Sequence, residues 1–213
     1  MVHIFIEAKR LETPEGVFLQ ALIHKYIPDA VPYTIYAVDG WSNLRQPANV
    51  MNMQLNTQDG GRNLIVFDAD SSATGGGFEN RLSSLKEQLS DNGILADIFL
   101  WPDNHSDGTV ENLMLDIARR DLHSLFFDCF EDYEACLSSA RRTDGSSLYH
   151  CPDLKSKAFT FISSMSLSNT QRKHLGRGNW LFEKAEYWDL ESERVEPIVT
   201  FLKERLDKNL LPS

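Results

Sequence analysis

The chain has 213 residues, 42% hydrophobic and 24% charged, with a formal net charge of −10. That length supports one sizeable core with room for an appendage, and the composition is ordinary for a soluble globular protein. The acidic balance excludes a general nucleic-acid-coating role, because the chain as a whole repels phosphate and any grip on a strand must come from a locally basic surface.

The three cysteines, Cys129, Cys136 and Cys151, lack zinc-type spacing. Their odd number points to reduced thiols, expected in the core of a cytoplasmic protein. Met1 to Glu7 has no basic leader and too short an apolar run for a signal peptide, and no segment approaches the ~18 apolar residues of a membrane span.

In chain order, residues 2–7 read as a strand and 15–27 as a helix with Phe18, Leu19, Leu22, Ile23 and Tyr26 on one face, closed by Pro28. A second strand is expected at 32–38, then a polar, partly helical stretch to Gly60-Gly61. The apolar run at 63–67 reads as a buried third strand ending at Asp68 and Asp70. Phe78, Leu82, Leu85 and Leu89 mark an amphipathic helix that stops at Asp91-Asn92-Gly93. Ile94 to Trp101 reads as a fourth strand. Val110, Leu113, Met114 and Ile117 fall at helical spacing, with Thr109 as the cap.

Strands alternating with helices imply a parallel sheet with right-handed crossovers. Past residue 120 the strand signal fades. Helices are expected at Leu125 to Leu137 and Leu154 to Met165, an exposed basic loop at Ser166 to Gly178, and a C-terminal helix that packs back on the sheet through Val195, Ile198, Val199, Leu202 and Leu206. The aromatic residues Trp180, Phe182, Tyr187 and Trp188 read as core or interface rather than as base-stacking groups.

Carboxylates recur at the strand ends. Glu7 closes the first strand, Asp68 and Asp70 the third, and Asp103 follows the fourth, with Asp107 and Glu111 close behind. In one parallel sheet these acids converge on the edge where α/β proteins bind ligands. Acids at that spacing repel one another unless a cation is present, and an all-oxygen set suits Mg²⁺ or Mn²⁺. The plainer reading is that Asp68 caps the helix that follows it and that Glu111 sits in a first turn because carboxylates favour the positive helix end. His105, a lone loop histidine, reads as solvated.

The stretches Ile4-Phe5-Ile6-Glu7-Ala8-Lys9, Val66-Phe67-Asp68-Ala69-Asp70 and Gly108-Thr109-Val110-Glu111 resemble the Toprim domain of topoisomerases, primases and the overcoming-lysogenization-defect nucleases, nearest to a group of small bacterial Toprim-like proteins. The resemblance implies a three-layer α/β fold over residues 1–120, with a mostly parallel sheet flanked by helices; residues 121–213 read, from their own pattern, as a largely helical extension that packs on it. It also implies that Glu7, Asp68 and Asp70 hold one Mg²⁺ or Mn²⁺, that Glu111 approaches a second, and that the two ions serve hydrolysis or transfer at nucleic-acid phosphodiesters.

By the same resemblance Glu7 is catalytic, and Lys155 and Lys157 match a Lys-x-Lys that steadies charge on a phosphoryl group. Two positions depart from the pattern. Ala8 stands where the family has Gly, and Leu11 where it has a second acid; a short insertion at Arg10 to Pro14 restores the register and brings Glu15 to that place.

Two other classes fit the same residues. Val-Phe-Asp-Ala-Asp-Ser-Ser also resembles the opening of haloacid-dehalogenase phosphatases, with Asp68 as covalent nucleophile and Ser72 near the usual Thr, although that motif ordinarily opens the chain. Alternatively the fold persists as a binding or regulatory module, with a protein partner or a second copy, since fold does not guarantee activity.

Overall fold

In the computed structural model, which describes residues 1–210, four parallel strands form a single sheet. They are β1 (Val2–Ile6), β2 (Tyr33–Ala37), β3 (Arg62–Asp68) and β4 (Asp97–Trp101), in the order β2-β1-β3-β4. Parallel neighbours need crossovers. Helix α1 (Pro14–Tyr26) joins β1 to β2, α2 (Pro47–Gln58) joins β2 to β3, and α3 (Phe78–Asp91) joins β3 to β4. The chain runs outward from β1 to β2, returns to the centre, and runs outward again from β3 to β4. The order therefore reverses between β1 and β3, where Ile6 pairs with Val66.

Side chains alternate across each strand, so each face of the sheet buries its own set. Phe5, Ile65, Phe67 and Leu100 face one way, against Met53 of α2 and Leu85 and Leu89 of α3. Ile4, Ile6, Leu64, Val66, Phe99 and Trp101 face the other, against Phe18, Leu19 and Leu22 of α1 and Val110, Leu113 and Met114 of α4 (Val110–Asp116). This is the expected α/β architecture, helices on both sides of a parallel sheet.

The C-terminal part is helical, as expected. It contains α5 (Ser124–Ser139), α6 (Leu154–Ser163), α7 (Asn169–Leu175) and α8 (Glu196–Leu206). Its buried residues join the α1 side of the core: Phe182 lies 4.9 Å from Phe18 and Phe201 5.4 Å from Phe99, ring centre to ring centre. Trp180, Phe182, Tyr187 and Trp188 are all buried, in keeping with a core role. Among the described residues no helix is long and apolar enough to cross a membrane.

Three expectations are corrected. The cysteines are not core thiols: Cys129, Cys136 and Cys151 are all exposed, the first two because α5 buries Phe127 and Phe130 instead, and Cys151 in the segment ahead of α6. The basic run at 166–178 is not a loop throughout. Ser168 and Gln171 form a reciprocal capping box that starts α7, although Arg172, Lys173, His174 and Arg177 do stay exposed. Finally, β4 begins at Asp97, and Leu95 ahead of it is exposed.

Candidate carboxylate centre

Glu7 lies one residue beyond β1, Asp68 closes β3, and the two strands are neighbours at the point where strand order reverses. That crevice, outside the carboxyl ends, is the usual ligand site of open parallel sheets. Two helices begin there. Glu15 is the second residue of α1, after Pro14, and Glu111 the second of α4, after Val110. Asp68 Oδ1 accepts the Val110 N–H at 2.8 Å and so fixes the start of α4 against the end of β3. Asp68 is thus a helix cap as well as a member of the acid group, though the helix it caps lies far along the chain.

The four carboxylates act on one another. Burial raises the Glu15 carboxyl to about 8, and the charges of Glu7 and Glu111 push in the same direction. Burial likewise raises Asp68 well above the ordinary range, reinforced by Glu15 and Glu111, while the Val110 N–H opposes it. Glu7 is raised, mainly by burial, against the pull of the Trp41 N–H at 3.1 Å and of the Arg81 charge. Each of the four side chains is partly exposed as a whole, but Glu7 Oε2 and Glu15 Oε1 are fully buried and accept no hydrogen bond. Buried carboxylate oxygens ordinarily have partners. The buried Trp101 indole nitrogen beside Glu15 also lacks one by geometry, although its proximity favours the charged form of Glu15.

Asp70 is placed differently. It lies past the end of β3, so the alternation of a strand no longer orients it, and its backbone is left-handed at φ +60°. Its N–H and C=O both bond Gly108, each at 2.8 Å, and its carboxylate is held by Arg81. Arg81, on α3, is 6% exposed and packs over the Trp41 ring at 4.2 Å. Sequence reasoning missed this arginine. The signal was present: Arg81 stands three residues after Phe78 and four before Leu85, on the stripe that α3 buries.

The remaining acids and lysines serve other contacts. Asp103 accepts the N–H groups of His105 and Ser106, and Asp107 accepts those of Ser72 and Phe78, tying the glycine-rich turn to the start of α3. His105 is exposed and pairs with Asp103. Lys157 pairs with Glu134 at 2.8 Å and lies over Phe130, and Lys155 is exposed. Neither lysine is among the groups that shift the buried carboxyls. Ala8 occupies its place without a left-handed backbone, its carbonyl accepting the Asp39 N–H at 2.9 Å.

As the side chains stand, no three His, Cys, Asp or Glu residues among those described are grouped closely enough to hold a metal ion. The orphaned oxygens and the all-oxygen donor set fit a hard divalent cation and no softer one.

No curated protein and no solved structure matches the chain. One family model does, over residues 15–207, and its description is a protein of unknown function. That match spans Glu15, Asp68 and Glu111 as well as the helical C-terminal part, and the chain belongs to this family, DUF3226.

Proposed function

We propose that this protein binds a divalent cation, Mg²⁺ or Mn²⁺, through Glu7, Glu15, Asp68 and Glu111, and acts there on phosphodiester groups of nucleic acid. The observation that carries the reading is the pair of buried, unpartnered oxygens, Glu7 Oε2 and Glu15 Oε1, inside a cluster of mutually repelling carboxyls at the strand-order reversal. Such a cluster is unfavourable unless protons or a cation compensate it. A bound cation would supply Lewis-acid polarisation of a phosphoryl oxygen and a coordinated water of lowered pKa.

The residues divide the work. Asp68, fixed through Val110, positions α4 and with it Glu111. Glu7, held by the Trp41 N–H, keeps its second oxygen free to accept a proton or a ligand. The likeness to Toprim domains supports a phosphodiester substrate, and so does the exposed basic face of α7, a locally positive surface on an acidic chain. Lys157, engaged by Glu134, is a weaker candidate for steadying phosphoryl charge than the resemblance alone implies.

The binding-module alternative gains from Asp70, whose carboxylate is taken by Arg81 rather than left to a cation. The phosphatase alternative loses ground, since Asp68 Oδ1 is already engaged by the Val110 N–H and burial disfavours the charged form that a nucleophile requires.

Calorimetric titration with Mn²⁺ tests the reading. Binding should tighten between pH 6 and pH 8 as Glu15 loses its proton, and should fall at least tenfold in Asp68→Asn and in Glu15→Gln. Unchanged binding in both folded variants overturns the metal reading. Cleavage of supercoiled, linear and single-stranded DNA in Mn²⁺ then separates the enzyme from the module, which binds the ion without turnover.

A further inference from the structure

Arg81 is a charged side chain enclosed almost entirely by protein, yet its one ionic partner, Asp70, is 39% exposed at the side chain. The ion pair therefore opens to solvent through Asp70 alone. Three observations make the arrangement unusual. Asp70 meets Arg81 from a left-handed backbone that is pinned by the paired bonds to Gly108. A backbone kept in a sparsely populated region by its surroundings points to a functional constraint. The Arg81 Nε is buried and has no acceptor, so the guanidinium is incompletely satisfied even with Asp70 in place. And Arg81 bears on the charge of Glu7, which it pulls down, so it stands beside the carboxylate centre.

A buried, rigidly held guanidinium with a spare donor is suited to a planar bidentate oxyanion. It packs over the Trp41 ring, and the backbone N–H of that residue is bonded to Glu7. We propose that Arg81 is the anchor for a phosphoryl group at this site and that the Asp70 carboxylate occupies the anchor until a phosphoryl oxygen displaces it. Asp70 is then an internal competitor rather than a ligand of the cation, and Arg81 sets specificity for phosphate chemistry. The inference rests on the phosphodiester reading above and names the residue that would grip the substrate.

The assignment makes a prediction opposite in sign to a D-x-D metal pair. Replacing Asp70 by Asn removes the competing charge while suiting a left-handed backbone, and frees the guanidinium for an incoming anion. Affinity for a fluorescent hexathymidylate, measured by anisotropy in EDTA so that no cation takes part, should rise about tenfold in Asp70→Asn. Inorganic pyrophosphate should compete. Glu79→Gln, which removes an equal charge from an exposed position on the same helix, should change affinity far less. The gain should vanish in Asp70→Asn combined with Arg81→Lys, whose point charge lacks the bidentate fork. Asp70→Gly, equally suited to φ +60°, serves if the Asn variant does not fold.

A gain for both probes, or for pyrophosphate alone, supports the phosphoryl anchor, the second result assigning it to a free phosphorylated compound rather than a strand. No gain beyond that of Glu79→Gln, or a gain that survives Arg81→Lys, overturns it. Mn²⁺ titration of the same Asp70→Asn protein without anion keeps the two readings apart. Intact Mn²⁺ binding with no anion gain defeats the anchor and leaves the carboxylate centre standing, while an anion gain without Mn²⁺ binding in the parent protein does the reverse.

Discussion

The two ends of β3 handle buried polarity in opposite ways. At its amino end Asn63, 1% exposed, donates from Nδ2 to the Met53 carbonyl, the Thr57 hydroxyl and the Leu95 carbonyl, at 3.0 to 3.1 Å. Its Oδ1 accepts from Asn56, which also donates to the Arg62 carbonyl. Both ends of the Asn63 amide have partners, and the network ties α2, β3 and the loop ahead of β4 together. At the carboxyl end, five residues further along the strand, Asp68 joins carboxyls that repel one another and leave oxygens unpartnered. One end of the strand is built to hold the sheet. The other carries a tension that the fold tolerates, and such local cost is ordinarily found where a protein binds or reacts.

The largest effect expected from this contrast is at the satisfied end. Asn63→Ala strands several buried donors and acceptors at once and should cost about 3 kcal/mol, seen as a lower midpoint in urea unfolding with an unchanged slope. A loss under 1 kcal/mol would erase the distinction between the two ends.

The tense end should respond in the opposite sense. A glutamate titrates near 4.5 when unfolded, whereas Glu15 in the fold titrates at about 8, so the folded state retains the proton longer. Stability from this group is therefore complete below about pH 4.5 and is lost progressively as pH rises through about 8. In metal-free buffer Glu15→Gln, neutral at every pH, should stabilise the protein by about 3 kcal/mol at pH 8 relative to pH 5 and flatten the decline of Tm across that window. A parallel decline in both proteins would mean that Glu15 is not strained.

The smallest effect sharpens the boundary between the two behaviours. Asn112 Oδ1 accepts the Thr109 N–H at 2.9 Å and closes the start of α4, the helix that Asp68 also caps. Asn112→Ala should cost about 1 kcal/mol in thermal unfolding. Because it frees Glu111 to move, it should also weaken Mn²⁺ binding severalfold; loss of stability alone would detach Glu111 from the site.

Much of the scaffold was legible from periodicity. All four strands, α1, α3, α4 and the amphipathic C-terminal helices carry stripes that a parallel sheet requires, and the acids at the ends of β1 and β3 followed from strand polarity. What escaped depended on single backbone states or on polar helices. The turn of Asp70 toward Arg81 comes from one left-handed residue and two bonds to Gly108, neither encoded by spacing. Helix α7 buries only Leu175, so no stripe announced it, although Ser168 and Gln171 at capping-box spacing did. The cysteines of α5 misled because a small apolar side chain reads as core, whereas the phenylalanines of that helix fill the available space.

The approach of Gly178 to the loop between β1 and α1 has a consequence for how this protein can change over time. A Cβ at position 178 would stand 2.5 Å from the Glu12 carbonyl oxygen, and the backbone there is at φ +90°. The segment after α7 thus presses directly on the loop that joins Glu7 to Glu15, while Phe182 behind it packs on Phe18 of the helix that carries Glu15. The carboxylate centre and the helical half are consequently coupled through this contact. Replacing the C-terminal half by an unrelated segment would therefore reshape the loop on which the acids depend.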